Sequence, residues 1–272
     1  MYRKIIFLIF ILVFVFISSA NAKTIIWVSG NVDGDNNADL TNDWQEWIDK
    51  LESEGYTVDA RPQYWDELTQ AKVDELNAAD LVIVSRALIS GDMATNNAEV
   101  ALWNSVTAPM INNSPYVIRG NRWKWVSSQD ELPNTGDLGC PLMQVTKPSH
   151  PIFWGITLDS SDQIQVTDPE VGSGNCTYNP TNNVGNGTLI AKTVPTTLVQ
   201  DWFWIAEWQE GVEFYPGSGT YAGSHRLYFS AGTHEVTGTY KASEFNFTDE
   251  GWKLYLNAVK YMLGELTNPR QA

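Results

Sequence analysis

The chemistry this sequence could perform is concentrated in a few groups of oxygen, nitrogen and sulfur side chains. Asn31-Val-Asp33-Gly-Asp35-Asn36-Asn37-Ala-Asp39 carries side-chain oxygens at relative positions 1, 3, 5 and 9. On a tight loop such alternation turns the oxygens inward, which suits Ca2+, a hard cation that takes about six to eight oxygen ligands. Asn31 stands where such loops begin with Asp, Asn36 where they carry Gly, and Asn42 where an EF-hand has its bidentate Glu. The competing reading is a polar loop that caps the helix after it. His234 and Glu235 set an imidazole beside a carboxylate. Together with Asp33 and Asp35 they are the candidates for a cation-assisted or carboxylate-dependent hydrolysis. The three histidines, His150, His225 and His234, match no zinc spacing of the H-E-x-x-H kind.

Aromatic residues are the second excess, with 12 Trp. Trp123-Lys124-Trp125 and Trp202-Phe203-Trp204 stand near Arg119, Arg122 and Glu207, and Arg86 lies in a loop expected on the same edge. An indole flanked by polar groups is a platform for the apolar face of a sugar ring. These residues are therefore candidate ligand contacts: Arg86, Arg119, Arg122, Trp123, Trp125, Trp204 and Glu207. The same W-x-W alternation is also what a half-buried strand shows, so core packing stands as the alternative.

Composition removes whole classes of partner. The net charge is −15, with 32 acidic against 17 basic residues and no Lys/Arg cluster, so a nucleic-acid partner is not expected. Met1–Lys4 is short and basic, Ile5–Ile17 is apolar throughout, and Ala20-Asn21-Ala22 forms a small-residue cleavage pattern. The run is too short for a bilayer, so residues 1–22 read as a signal peptide and the product as secreted or periplasmic. No later run is long enough for a membrane span in the mature chain.

Elements that could position these residues follow from periodicity. Thr24–Val28 and Leu81–Val84 are continuously apolar, as strands buried on both faces are. Trp44, Trp47, Ile48 and Leu51 fall on one helical face, with Asp43 as a possible N-cap and Gly55 as the stop. Strands are predicted at Tyr56–Ala60, Pro109–Ile111 and Arg226–Ser230, and helices at Asp66–Leu76, Glu99–Val106 and from Thr248 to Leu263. This strand-helix rhythm implies an α/β fold with helices on both faces of a parallel sheet. Asn113 to about Val199 is rich in Gly, Pro, Asn, Ser and Thr, and Val171–Gly187 reads as a long surface loop. The organisation expected is one domain over residues 23–266 with a short tail at 267–272.

Four segments carry a family resemblance: Leu51-Glu-Ser-Glu-Gly-Tyr-Thr-Val58, Ala79-Asp-Leu-Val-Ile-Val-Ser85, Ser149-His-Pro-Ile-Phe-Trp-Gly-Ile156 and Arg226-Leu-Tyr-Phe-Ser-Ala-Gly-Thr-His234. In this order they resemble the class I glutamine amidotransferase-like superfamily, in its ThuA-like (trehalose-utilisation-like) branch. The resemblance implies a flavodoxin-like three-layer sandwich with a mostly parallel sheet and long inserted loops. Superfamily hydrolysis needs a cysteine on a tight strand-to-helix turn, but the corresponding Met110–Arg119 has none. Ser114 is followed by Pro115 and lacks a G-x-S-x-G setting. His234 resembles the superfamily's late histidine, although Glu235 is adjacent rather than one residue removed.

Cys140 and Cys176 both lie in loop-rich sequence, and in an exported chain a disulfide between them is expected. The functional expectation is an exported domain, without amidotransferase chemistry, that binds a carbohydrate or cell-surface polymer at the carboxyl edge of its sheet. A glycan hydrolase in the same cleft and an assembly domain with no small ligand are the alternatives.

Overall fold

The computed structural model describes residues 22–30, 44–129, 141–171, 176–233 and 243–266. Within them the chain runs β1 (Thr24–Val28), α1 (Gln45–Ser53), β2 (Thr57–Ala60), α2 (Gln70–Asn77), β3 (Leu81–Val84), α3 (Asn97–Ser105), β4 (Met110–Asn112), β5 (Met143–Val145), β6 (Gln163–Ile164), β7 (Thr188–Thr193), β8 (Phe203–Trp208), β9 (Arg226–Phe229) and α4 (Asp249–Met262). A 3-10 turn at Pro151–Phe153 lies between β5 and β6.

All nine strands form one sheet in the order β2-β1-β3-β4-β9-β8-β7-β5-β6. The first five are mutually parallel, in a doubly wound order. From β9 to β6 every pairing is antiparallel. The expectation of a mostly parallel sheet is thus corrected to a mixed sheet with one parallel half and one antiparallel half. The antiparallel half comes from the loop-rich middle of the chain, where short strands between Gly and Asn clusters give little periodic signal.

The parallel half is apolar because it is covered twice. On one face Trp27, Ile83 and Ile111 pack with Trp47 and Leu51 of α1 and Tyr255 of α4. On the other, Val28, Val84 and Met110 pack with Val73 of α2 and Trp103 of α3. Burying one such side chain contributes about 1.5–3 kcal/mol, so these two clusters fix which edge of the sheet carries which loops.

Local signals set the helix ends. Glu67 has a left-handed backbone, φ 55°, and Thr69 caps Lys72 N, so α2 starts later than its apolar pattern predicts. Trp44 occupies the cap position of α1 without a side-chain cap bond, and Asp43 lies outside the described residues. Thr248 Oγ1 accepts from Gly251 N at 3.0 Å to open α4, and Gly264 at φ 70° ends it, both as expected.

The predicted surface loop at Val171–Gly187 is corrected in part: Cys176, Thr177, Tyr178 and Asn179 are at most 2% exposed and pack over the sheet. Residues 1–21 of the expected signal peptide, the Asn31–Asp39 loop, Cys140, His234, Glu235 and the tail 267–272 lie outside the described residues. Among the described residues no helix is long and apolar enough to cross a membrane.

Candidate functional site

Because β1, β2, β3, β4 and β9 are parallel, the loops that follow them share one edge of the sheet, where ligands of open α/β sheets bind. Loops after β3 and β4 bring two predicted arginines together. The Arg86 guanidinium lies over the Tyr116 ring at 4.5 Å, and Arg119 approaches the same ring at 5.7 Å. Arg86 Nε also donates to Thr177 Oγ1 at 3.2 Å, which ties the buried Cys176–Asn179 segment to this edge. Arg122 Nε donates to Ser90 Oγ at 3.3 Å, joining the same two loops further out.

Between the loops after β2 and β3 lies a cleft of about 360 Å3 lined by Gln63, Asp66, Glu67, Asp92 and Thr95. Gln63 N donates to Ser29 O at 3.0 Å and so fixes the cleft to the end of β1. Glu99, buried in the first turn of α3, accepts from Leu68 N at 2.9 Å and from Thr95 N at 2.8 Å. One carboxylate therefore holds both walls. Lys72 Nζ donates to the carbonyls of Asp66 and Glu67 at 2.7 and 3.3 Å, leaving the carboxylates of those residues to the cleft. Burial and then the charge of Asp92 push the Asp66 carboxyl above its usual range. The sequence reading missed this cleft. The rule that places loops after parallel strands on one edge applies equally to β2, and it was the available signal.

At the same edge of the sheet, β4 ends in the turn Asn112-Asn113-Ser114. Ser114 N donates to Asn112 Oδ1 at 2.7 Å, and Asn113 exchanges bonds with the Tyr255 hydroxyl at 3.0 and 3.1 Å. Ser114 is wholly buried, and neither described histidine hydrogen-bonds it, so no base activates this hydroxyl among the described residues.

The described histidines meet at the opposite, amino-terminal edge. Glu207 near the end of β8 accepts from His225 Nε2 at 2.8 Å and from the Tyr261 hydroxyl at 3.2 Å, and lies 3.4 Å from His150 Nε2. Burial alone would raise this carboxyl; the contacts with His150 and His225 outweigh it and hold the group down at about 2. Burial, and then the same carboxylate, push the Tyr261 hydroxyl up to about 12. His150 Nδ1 accepts from Ile152 N at 3.4 Å, which leaves Nε2 as the ring nitrogen facing Glu207. Among the described residues, no group of three or more His, Cys, Asp or Glu could hold a metal ion.

Two expectations are corrected here. Trp123, Trp125 and Trp204 are wholly buried. Their indoles donate to Met93 O at 2.8 Å, Asn104 Oδ1 at 3.0 Å and Ser230 O at 3.0 Å. Trp123 stacks on Trp103 and Trp125 on Phe214, so no ring face is open to a sugar and the core alternative holds. Glu207 is at the wrong edge for a ligand contact with Arg86 and Arg119, because β8 runs antiparallel to β9. Cys176 is buried beside Asn246 Nδ2, which lies 3.4 Å from its sulfur.

No family model matches the chain, and no curated protein matches it. Among solved structures the chain is similar to a protein of Bacteroides uniformis ATCC 8492 that is itself described only as ThuA-like, at 11% identity and a TM-score of 0.44, over 89% of this chain and 91% of that one.

Proposed function

We propose that this is an exported binding domain for a carbohydrate or other hydroxyl-rich cell-surface polymer, held at the carboxyl edge of the parallel strands, without the thiol chemistry of the superfamily it resembles. The observation that carries the reading is the acidic cleft of Gln63, Asp66, Glu67, Asp92 and Thr95. Carboxylates and amides accept and donate to hydroxyl groups, and a preformed wall lowers the ordering cost of binding. The turn after β4 offers no thiol, and its serine has no described base. The proposal includes export through the leader at residues 1–22, a Cys140–Cys176 disulfide and a calcium-binding Asn31–Asp39 loop, which follows the strand that anchors the cleft.

A glycan array of the purified protein tests the reading. Binding is expected to at least one glycan class and to fall in Asp66→Asn and Asp92→Asn. An array on which nothing binds, with the fold intact, overturns it.

One observation favours a second reading, a carboxylate-dependent glycan hydrolase. The Asp66 carboxyl is raised by burial and then by Asp92, and a carboxyl raised in this way is suited to act as a general acid. Product release from a bound glycan, abolished by either substitution, would favour the hydrolase.

A further inference from the structure

Three fully buried polar atoms border the turn after β4 without a hydrogen-bond partner: Asn112 Nδ2, Ser114 Oγ and Asn179 Oδ1. Buried polar atoms are almost always hydrogen-bonded and leaving them unmet is costly, so three of them at one turn call for an occupant. Their orientations are fixed from the other side. Asn112 Oδ1 is used by Ser114 N at 2.7 Å, so its amide nitrogen must point away. Asn179 Nδ2 donates to Pro115 O at 3.5 Å, so its carbonyl is the open end. Asn112 stands in register with Tyr228 on β9, and the buried Tyr228 hydroxyl stays protonated because burial pushes its pKa up.

We infer that Asn112, Ser114 and Asn179 form a subsite for a neutral hydroxyl-bearing group, the end of a sugar or polyol. The argument is donor and acceptor matching. Asn112 Nδ2 only donates, Asn179 Oδ1 only accepts, and Ser114 Oγ does both. A carboxylate would meet the donors and leave Asn179 Oδ1 against its own lone pairs. An ammonium would meet the acceptors and repel Asn112 Nδ2. A pair of neighbouring hydroxyls satisfies all three. The inference deepens the proposed function and rests on it, since it assigns a sugar contact to the same edge. The three side chains are 0% exposed, so a ligand reaches them only when the loops around the turn open. Association is therefore expected below about 10⁵ M⁻¹s⁻¹, the low end for preformed sites.

The test titrates the whole protein calorimetrically with methyl β-glucoside, glucuronate and glucosamine, which share a ring and differ in charge. The neutral glycoside is expected to bind most tightly, and Ser114→Ala to weaken it about tenfold, as loss of one well-placed hydrogen bond does. Asn112→Asp keeps the acceptor for Ser114 N but reverses the open end, and is expected to weaken the glycoside further. Tighter binding of either charged sugar overturns the inference. So does a crystal structure of the glycoside-soaked protein with only water on the three atoms. A glycan that loses affinity in Asp66→Asn but not in Ser114→Ala overturns this subsite and leaves the proposed function standing. Silence of every glycan overturns both.

Discussion

The two edges of the parallel strands treat buried polar groups in opposite ways. At the amino-terminal edge the carboxylate of Glu207 is met by His225 and Tyr261 with His150 close by, contributed from β8, the start of β9, the 3-10 turn and α4. At the carboxyl-terminal edge Asn112, Ser114 and Asn179 keep open ends, and Asp66 and Asp92 face one another across a cleft. A buried charge met by donors from the start of β9 and from α4, with the 3-10 turn beside it, is architecture: it ties α4 and the turn, which make no ladder with the sheet, to β8. Polar groups left unmatched at similar depth are an expense the fold alone does not explain, which is how binding surfaces differ from cores. Chemistry-bearing residue types are thus a poor guide by themselves, since both described histidines stand at the edge where the buried charge is met.

The largest expected effect breaks the matched edge. Glu207→Ala leaves two imidazoles and a phenol facing an empty site, and should cost about 3–5 kcal/mol in urea denaturation, as breaking buried ion pairs does. Glycan binding by the folded fraction should not change. A loss under 1 kcal/mol would mean that water replaces the carboxylate and that the edge is not a clamp.

Acid should reach the same clamp. Glu207 is held below its unfolded value, so its contribution is fully present above about pH 4.5 and is lost as pH falls toward about 2. A shift of that size corresponds to on the order of 3 kcal/mol. Stability measured between pH 5 and 2.5 should fall more steeply in the wild type than in Glu207→Gln; parallel curves would contradict the assignment.

Smaller again is Trp123→Phe, which removes the indole bond to Met93 O and part of the stack on Trp103. It should cost about 1–3 kcal/mol and leave glycan binding intact. Binding loss without destabilisation would return this ring to the site. The smallest effect is at the open edge: Asp66→Asn should slightly raise the melting temperature near neutral pH, because an ionised Asp66 is disfavoured by burial and by Asp92. A lower melting temperature would show that the charge is matched after all.

The parallel half of the fold was legible because Thr24–Val28 and Leu81–Val84 are apolar without interruption and their helices show one apolar face each. The antiparallel half was not, because β5 and β6 are three and two residues long and β8 reads as an isolated aromatic cluster. The aromatic pairs illustrate the limit. Alternation shows that Trp123 and Trp125 share a side, but not that the side is covered by Trp103, Trp208 and Phe214. For Glu207 a signal existed: one acid within Phe203–Trp208 must find partners if that run is a buried strand. Which partners it finds depends on the β8–β9 register and on α4, neither of which is local in sequence. Arg86 and Arg119 could be placed on the correct edge from strand order alone, whereas their shared contact with Tyr116 needed the loop conformations.

The contrast between the edges is tested most directly by comparing two nearly isosteric substitutions, Glu207→Gln and Ser114→Ala, by differential scanning calorimetry at pH 7 without ligand. Matched groups lose stability when altered, while removing an unmet buried hydroxyl does not. Glu207→Gln should lower the melting temperature by several degrees, at about 2–4 °C per kcal/mol for a chain of this size. Ser114→Ala should leave it unchanged or raise it. Equal losses in the two variants would mean that Ser114 is as fully bonded as Glu207, and would contradict the division between an architectural edge and a binding edge.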